Sequence, residues 1–284
     1  MSDAPSHVKR ILVADDEPPI CSMLSLALRD AGYEVECAHD GEEALDKLEH
    51  GHFDLLLIDV WMPRLTGLEV MARLRGRASA PRVIVMTGDA TPVTAIAALR
   101  EHAWQYISKP FAIPVLRERV ARALESRSNA PPIEVVSLKD DWIELLVPCD
   151  RESAERIHDF IRQLGADLPE EVRDSAGDAF RELLMNAVEW GGDLDPTQYV
   201  RISAIRGKHV LVYRIADPGS GFRMDEVTHA AVTNPPDDPA RHLAAREKLA
   251  LRPGGFGILL VRAIADELIY NEKHNEVVFV KYLK

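Results

Sequence analysis

Long apolar runs are missing from this chain of 284 residues. No stretch approaches the ~20 apolar residues that a membrane-spanning helix requires. The polar opening from Met1 to Arg10 lacks the apolar core of a secretory signal. Cysteine is scarce: Cys21, Cys37 and Cys149 are odd in number and far apart in the sequence. They argue against a disulfide framework and for a reducing compartment, so a cytoplasmic protein with no membrane segment is expected. Basic residues are outnumbered, 34 Lys and Arg against 46 Asp and Glu, for a formal net charge of −12. A broad basic face for direct nucleic-acid binding is therefore not expected. Internal repeats, low-complexity tracts and a G-x-x-x-x-G-K-[ST] phosphate loop are also absent. What remains is 46% hydrophobic and 28% charged, too apolar for a disordered chain. Its length suits about two domains.

Residues 9–125 alternate strand and helix patterns. Strand-like runs fall at 11–14, 33–38, 53–58, 82–86 and 105–107, and helical patterns at 19–30, 41–49, 67–75, 92–101 and 113–126. Five β-then-α units predict a doubly wound parallel sheet with helices on both faces, a flavodoxin-like α/β fold. Residues 1–125 form the first expected domain. Residues 126–132, polar and ending in Pro131-Pro132, form a short linker. Residues 133–284 form the second domain. There, strand pairs (133–137 with 142–147, 199–205 with 210–216, 267–270 with 277–282) surround helices at 151–164, 169–189 and 257–266. That order predicts an α+β fold with a sheet covered on one face. A long irregular segment, 222–253, interrupts it.

Acidic residues cluster just past the strand C-termini of the first domain: Asp15 and Asp16 after the first strand, Asp59 after the third. Open parallel sheets bind ligands outside those ends. Three carboxylates held together repel unless a hard divalent cation neutralises them, which makes Mg²⁺ the expected ion. Thr87 and Lys109 follow the next two strands and supply a hydroxyl and an ammonium for phosphoryl oxygens. The segments Leu12-Val13-Ala14-Asp15-Asp16-Glu17-Pro18, Leu57-Ile58-Asp59, Met86-Thr87-Gly88 and Lys109-Pro110-Phe111 resemble the receiver domain of two-component response regulators. The resemblance implies Asp59 as phosphoacceptor, and Asp15, Asp16, Asp59 and the Trp61 carbonyl as Mg²⁺ ligands. It also implies Thr87 and Lys109 at the phosphoryl group, a cis Lys109–Pro110 bond, and Tyr106 as the switch aromatic. Phosphorylation at Asp59 adds nearly two negative charges. Thr87 then moves toward them and Tyr106 turns inward.

The second domain offers three clusters. Glu182 and Asn186 are four apart on one helix face, a carboxylate able to accept a hydroxyl proton and an amide oxygen able to face Mg²⁺. Asp217-Pro218-Gly219-Ser220-Gly221 follows a strand; an Asp accepts from an exocyclic amino group, and glycines let the backbone approach a planar ring. Gly254-Gly255-Phe256-Gly257 leads into a helix whose N-terminal N–H groups suit phosphates. In this order they resemble the N, G1 and G2 boxes of the GHKL (Bergerat) ATP-binding fold shared by histidine kinases, gyrase and anti-sigma-factor serine kinases. The resemblance implies ATP binding through Asn186, Asp217, Gly219, Gly221, Gly255 and Gly257, with 222–253 as the ATP lid. Lys248 and Arg252 read as solvated charge. Trp190 replaces the His many relatives carry before Gly.

His158-Asp159-Phe160 looks like a phosphoacceptor box, but no heptad hairpin fits between His158 and Asn186, so His158 is expected on the polar face of its helix. His50 and His52 lack a third ligand and read as surface residues. The compact domain is most similar to the anti-sigma-factor serine/threonine kinases, which implies Glu182 as catalytic base and an anti-anti-sigma (STAS) protein or sigma factor as partner. An upstream histidine kinase is the implied phosphodonor, and a homodimer is possible. Two other readings stand beside it: a nucleotide-dependent, non-catalytic partner-binding switch, and a histidine-kinase-like ATPase passing phosphate to a His or Asp partner.

Overall fold

The computed structural model describes residues 8–77, 79–88, 91–126, 131–139, 141–165, 167–221 and 256–283. The segment 222–253 and the residues Lys248, Arg252 and Gly255 lie outside them. The chain divides into two compact units, Met1–Ser128 and Asn129–Lys284.

In the first unit five strands, β1 (Arg10–Ala14), β2 (Glu34–Ala38), β3 (Leu55–Asp59), β4 (Arg82–Thr87) and β5 (Gln105–Ser108), form a parallel sheet in the order β2-β1-β3-β4-β5. All five residues of β3 are buried, as a central strand covered on both faces must be. The helices are α1 (Pro18–Asp30), α2 (Gly41–His50), α3 (Gly67–Leu74), α4 (Pro92–Arg100) and α5 (Ile113–Glu125). Their starts are written in the sequence. The Asp40 carboxylate accepts from the Glu43 N–H at α2, and Thr66 and Glu69 cap each other's backbone at α3. One part of the core packs Leu24, Leu28, Leu116 and Val120 on Ile11, Val13, Leu55, Leu57 and Ile84. The strand order reverses between β1 and β3, so the doubly wound sheet opens a crevice at their carboxyl ends.

In the second unit six strands form an antiparallel sheet in the order β10-β11-β9-β8-β7-β6. They are β6 (Glu134–Lys139), β7 (Trp142–Pro148), β8 (Tyr199–Arg206), β9 (Val210–Ala216), β10 (Glu267–Tyr270) and β11 (Glu276–Tyr282). The helices are α6 (Arg151–Leu164), α7 (Glu170–Asn186) and α8 (Gly257–Ile264). Alternate strand residues point to the core: Ile143, Leu145 and Val147 on β7, Leu211, Tyr213 and Ile215 on β9. The Tyr213 ring meets Phe180 of α7 edge-on at 5.0 Å and stacks on Phe279 of β11 at 5.8 Å. These contacts fix α7 against the sheet.

Two expectations are corrected here. The helix expected over 169–189 is α-helical only to Asn186; residues Ala187–Gly191 widen into a π-helical turn. Gly192 N–H donates to the Ala187 carbonyl at 2.9 Å. A side chain on Gly191 would enter Asp217, and one on Gly192 would enter Cys149. The turn thus brings two bare backbones against β9 and β7. His158 is the second correction. It is 7% exposed, not on a polar face, because α6 buries a wide arc that also includes Ala154, Ile157, Phe160 and Ile161. Burial holds the imidazole below its ordinary value, and Nε2 has no hydrogen-bond partner.

Candidate functional site

In the first unit the crevice gathers the residues singled out from sequence. β1 ends at Ala14, which delivers Asp15 fully buried and Asp16 exposed. Asp59, the last residue of β3, is 6% exposed. One ligand oxygen from each of these three carboxylates lies within 4.8 Å of the others. The loops on either side fix them: Glu17 N–H donates to Asp15 Oδ1 at 3.1 Å, and Trp61 N–H to Asp59 Oδ1 at 3.2 Å. Gly67 opens α3 directly against the Asp59 carbonyl, where any Cβ would collide.

Lys109 closes the site. Its backbone N–H donates to the Thr87 carbonyl at 2.7 Å. Its Nζ lies 2.6 Å from Asp15 Oδ2 and 2.5 Å from Asp59 Oδ2. Burial alone would lower the ammonium's pKa, but the two carboxylates outweigh it and hold it raised. Thr87 ends β4 fully buried, and the Lys109–Pro110 bond is cis, as the resemblance implied. The donor set is all hard oxygen around an excess of negative charge, which fits Mg²⁺.

Tyr106 on β5 is 1% exposed and turned inward. Trp61 stands 55% exposed at the rim of the pocket. Trp104 packs under the Arg82 guanidinium, 4.4 Å from the ring centroid. His50 is exposed and paired with Asp46, and His52 is exposed, as expected of surface residues.

In the second unit, Glu182 and Asn186 are half-buried on the last turns of α7. The end of that helix carries the π-helical turn, a feature common at functional sites. Gly257, the first residue of α8, lies against the Glu182 carboxylate so closely that a Cβ would overlap it. The helix start and the carboxylate are thereby brought to one place.

Asp217 follows β9. Gly219 N–H donates to its Oδ1 at 2.9 Å, and burial holds the carboxyl above its ordinary value. The glycines of this turn also meet tight local packing. Gly219 leaves room for Asp217 and the Gly191 backbone, and Gly221, at φ +86°, passes against the Lys273 carbonyl.

Sequence reasoning missed the contact between the turn of the β10–β11 hairpin and Asp217. Asp217 N–H donates to the Asn275 carbonyl at 2.9 Å, and Asn275 Nδ2 donates to the Gly219 carbonyl at 3.0 Å. Asn271 Oδ1 in turn accepts from the Asn275 N–H at 3.1 Å. The Asn-rich turn was visible in the sequence, but nothing local tied it to Asp217.

Comparison with known proteins follows the same division. Residues 11–121 match the family model for the response regulator receiver domain, and residues 147–281 the one for the histidine kinase-like ATPase domain. The response regulator MprA of Mycobacterium tuberculosis is 43% identical over 120 residues, covering 42% of this chain and 52% of that protein. The regulatory protein AtoC of Escherichia coli is 38% identical over 137 residues, covering 48% of this chain and 30% of that protein. The chain thus spans about half the length of MprA and less than a third of AtoC. A solved receiver domain protein (CheY-like) from Methanospirillum hungatei is 32% identical, with a TM-score of 0.41, covering 42% of this chain and 95% of that one. The chain is a response regulator receiver domain followed by a histidine kinase-like ATPase domain of the GHKL type.

Proposed function

We propose that this protein is a response regulator, phosphorylated on Asp59, that controls an ATP-dependent protein serine/threonine kinase of the anti-sigma-factor type. In this reading residues 1–125 are the receiver, 126–132 the linker and 133–284 the kinase module. The observation that carries it is the meeting of the Glu182 carboxylate with the start of α8, one helical turn before Asn186. Glu182 is placed to accept the proton of an attacking hydroxyl. Asn186, one turn on, would hold Mg²⁺ through its amide oxygen. Asp217 accepts from the exocyclic amino group of adenine, and Gly219, Gly221, Gly255 and Gly257 complete the nucleotide site. Phosphoryl transfer then rests on positioning and charge neutralisation. When bound, Mg²⁺ supplies the positive charge that phosphoryl oxygens need in both units.

In the receiver, Asp15, Asp16, Asp59 and the Trp61 carbonyl hold the ion, while Thr87 and Lys109 face the phosphoryl group. A histidine kinase supplies the phosphate. The substrate of the second unit is the hydroxyl of a STAS-type regulatory protein. Calorimetry of ATP with Mg²⁺, with and without beryllofluoride as the Asp59 phosphoryl mimic, tests the reading, with Asn186→Ala as control. Binding that shifts with the mimic supports it; no binding in either state overturns it. Glu182→Ala should abolish transfer and spare nucleotide binding, and the phosphoprotein product should survive acid, unlike phosphohistidine. Partner control that survives Glu182→Ala unchanged favours a non-catalytic, nucleotide-dependent clamp.

A further inference from the structure

Sixteen positions of sequence separate two cysteines that the fold brings together. Cys21 lies on the buried face of α1, with its thiol directed at the Asp15 carbonyl (3.4 Å) and the Ala38 carbonyl (3.8 Å). Cys37 lies on β2, an edge strand, and is half-buried. Its sulfur sits 3.7 Å from the Cys21 carbonyl and 3.0 Å from the hydroxyl of Ser25, one turn along α1. The Cys37 sulfur thus packs directly on the backbone of the residue that carries the other thiol. No role assigned to the acidic pocket uses either one.

We propose that Cys37 and Cys21 form a peroxide-oxidisable thiol pair, a modification site that ties helix α1 to strand β2 directly behind Asp15. Cys37 is the attacking sulfur because it is the one solvent reaches. The Ser25 hydroxyl can donate to its thiolate, and Arg29 lies one turn beyond Ser25. The neighbouring Cys21, with the Ser25 hydroxyl and the charges of His39 and Arg29, lowers the Cys37 thiol to about 6 against the opposing effect of burial. Cys21, buried and with its carbonyl 3.7 Å from the Cys37 sulfur, is the resolving thiol.

The chemistry closes with hydrogen peroxide as oxidant. The Cys37 sulfur attacks one peroxide oxygen; the O–O bond breaks, and the other oxygen leaves as water with the thiol proton. The Cys21 sulfur then attacks the resulting sulfenic acid. An S–S bond forms, the S–O bond breaks, and a second water carries off the oxygen and the Cys21 proton. Two thiols are oxidised to one disulfide, and one peroxide is reduced to two waters. The step also removes the S–H donor from the Asp15 carbonyl.

The test treats the full chain with hydrogen peroxide, blocks remaining thiols with iodoacetamide and maps peptides without reduction. The expected result is a Cys21–Cys37 cross-link, a loss of about 2 Da reversed by dithiothreitol. Cys149 is the internal control: it is fully buried, and burial pushes its thiol up to about 11. Before oxidation Cys37 should alkylate at least about tenfold faster than Cys149. Cys37→Ala, at a half-buried edge position, should leave Cys21 a free thiol after peroxide. Three results overturn the proposal: both thiols still alkylating after peroxide, Cys37 advancing to the sulfinic acid without a cross-link, or Cys21 pairing with Cys149 or a second chain.

Discussion

Replacing Lys109 with Met removes the ammonium that bridges Asp15 and Asp59 while keeping an apolar stem. Asp15 is fully buried and Asp59 6% exposed, so water cannot restore the lost neutralisation. Removing one partner of a buried ion pair destabilises by about 3–5 kcal/mol. The exposed Asp16 shows that solvent reaches the rim of the pocket, which favours the low end, about 3 kcal/mol. At 1.4 kcal/mol per tenfold, that is roughly a hundredfold faster amide exchange in β1 and β3 without Mg²⁺. The sign reverses for the metal. The ligand oxygens lie within 4.8 Å of one another, and Nζ touches two of them. A divalent ion held there sits about 5 Å from the ammonium, and even at the dielectric of water that repulsion is about 1.7 kcal/mol. Lys109→Met should therefore bind Mg²⁺ at least about tenfold tighter, and saturating Mg²⁺ should narrow the exchange gap by the same factor. Exchange mass spectrometry on the full chain reads both. Exchange within threefold of the parent without Mg²⁺, or a gap that Mg²⁺ leaves unchanged, refutes the reasoning.

Three further outcomes follow from the second unit. Asn275→Ala deletes the latch on the Gly219 carbonyl; calorimetry should show ATP binding weakened about tenfold, the loss of one hydrogen bond and its ordering effect, with exchange in α6 and β8 unchanged. Asp217 is raised by burial, so it binds its proton more tightly folded than unfolded; stability falls as pH climbs from the ordinary 3.8 through the raised value. Asp217→Asn should remove that fall in urea titrations, leave the ligand-free protein more stable at pH 7, and lose ATP. His158 is lowered by burial, so its contribution is present above 6.5 and is lost as pH drops below it, where the unfolded imidazole protonates. His158→Leu should flatten stability against pH below 6.5 and change stability at pH 7 by less than about 1 kcal/mol, since Nε2 has no partner to lose.

Both folds were legible because their signals are local. The run Leu55–Ile58 has no polar face, and only a strand covered on both sides tolerates that. The β9 pattern, every second residue buried from Leu211 to Ile215, marks a sheet with one covered face. The acidic pocket was legible for the same reason: each residue sits at the carboxyl end of its own strand, and topology alone brings the ends together. What escaped depends on contacts between distant segments. His158 has a polar name and a buried position because α6 lies flat on the sheet. The π-helical turn after Asn186 follows from two glycines pressed against Asp217 and Cys149, which no helix propensity encodes. The Cys21–Cys37 contact needs the parallel pairing of Val13 with Cys37 to exist first.

The glycines connect these observations. In the second unit glycines lie where a carboxylate needs space, Gly191 and Gly219 around Asp217 and Gly257 against Glu182, whereas Gly67 in the first unit faces the Asp59 backbone carbonyl. Interiors pack near crystal density, so a carboxylate is held in one orientation when the atoms beside it leave no alternative. A bare Cα does that without adding a competing side chain, and it lets a backbone N–H come within reach, as Gly219 N–H does at 2.9 Å from Asp217 Oδ1. Gly219 and Gly257 therefore read first as positioning elements for acidic groups. Substituting them should disturb the carboxylate before the ligand: Gly257→Ala forces Glu182 from its place, so proton acceptance should fail more than nucleotide binding. Transfer lost with ATP affinity within about threefold of the parent is the expected signature of uneven effects on bound state and reaction. Equal loss of both would show that Gly257 serves the nucleotide directly and that Glu182 owes it nothing.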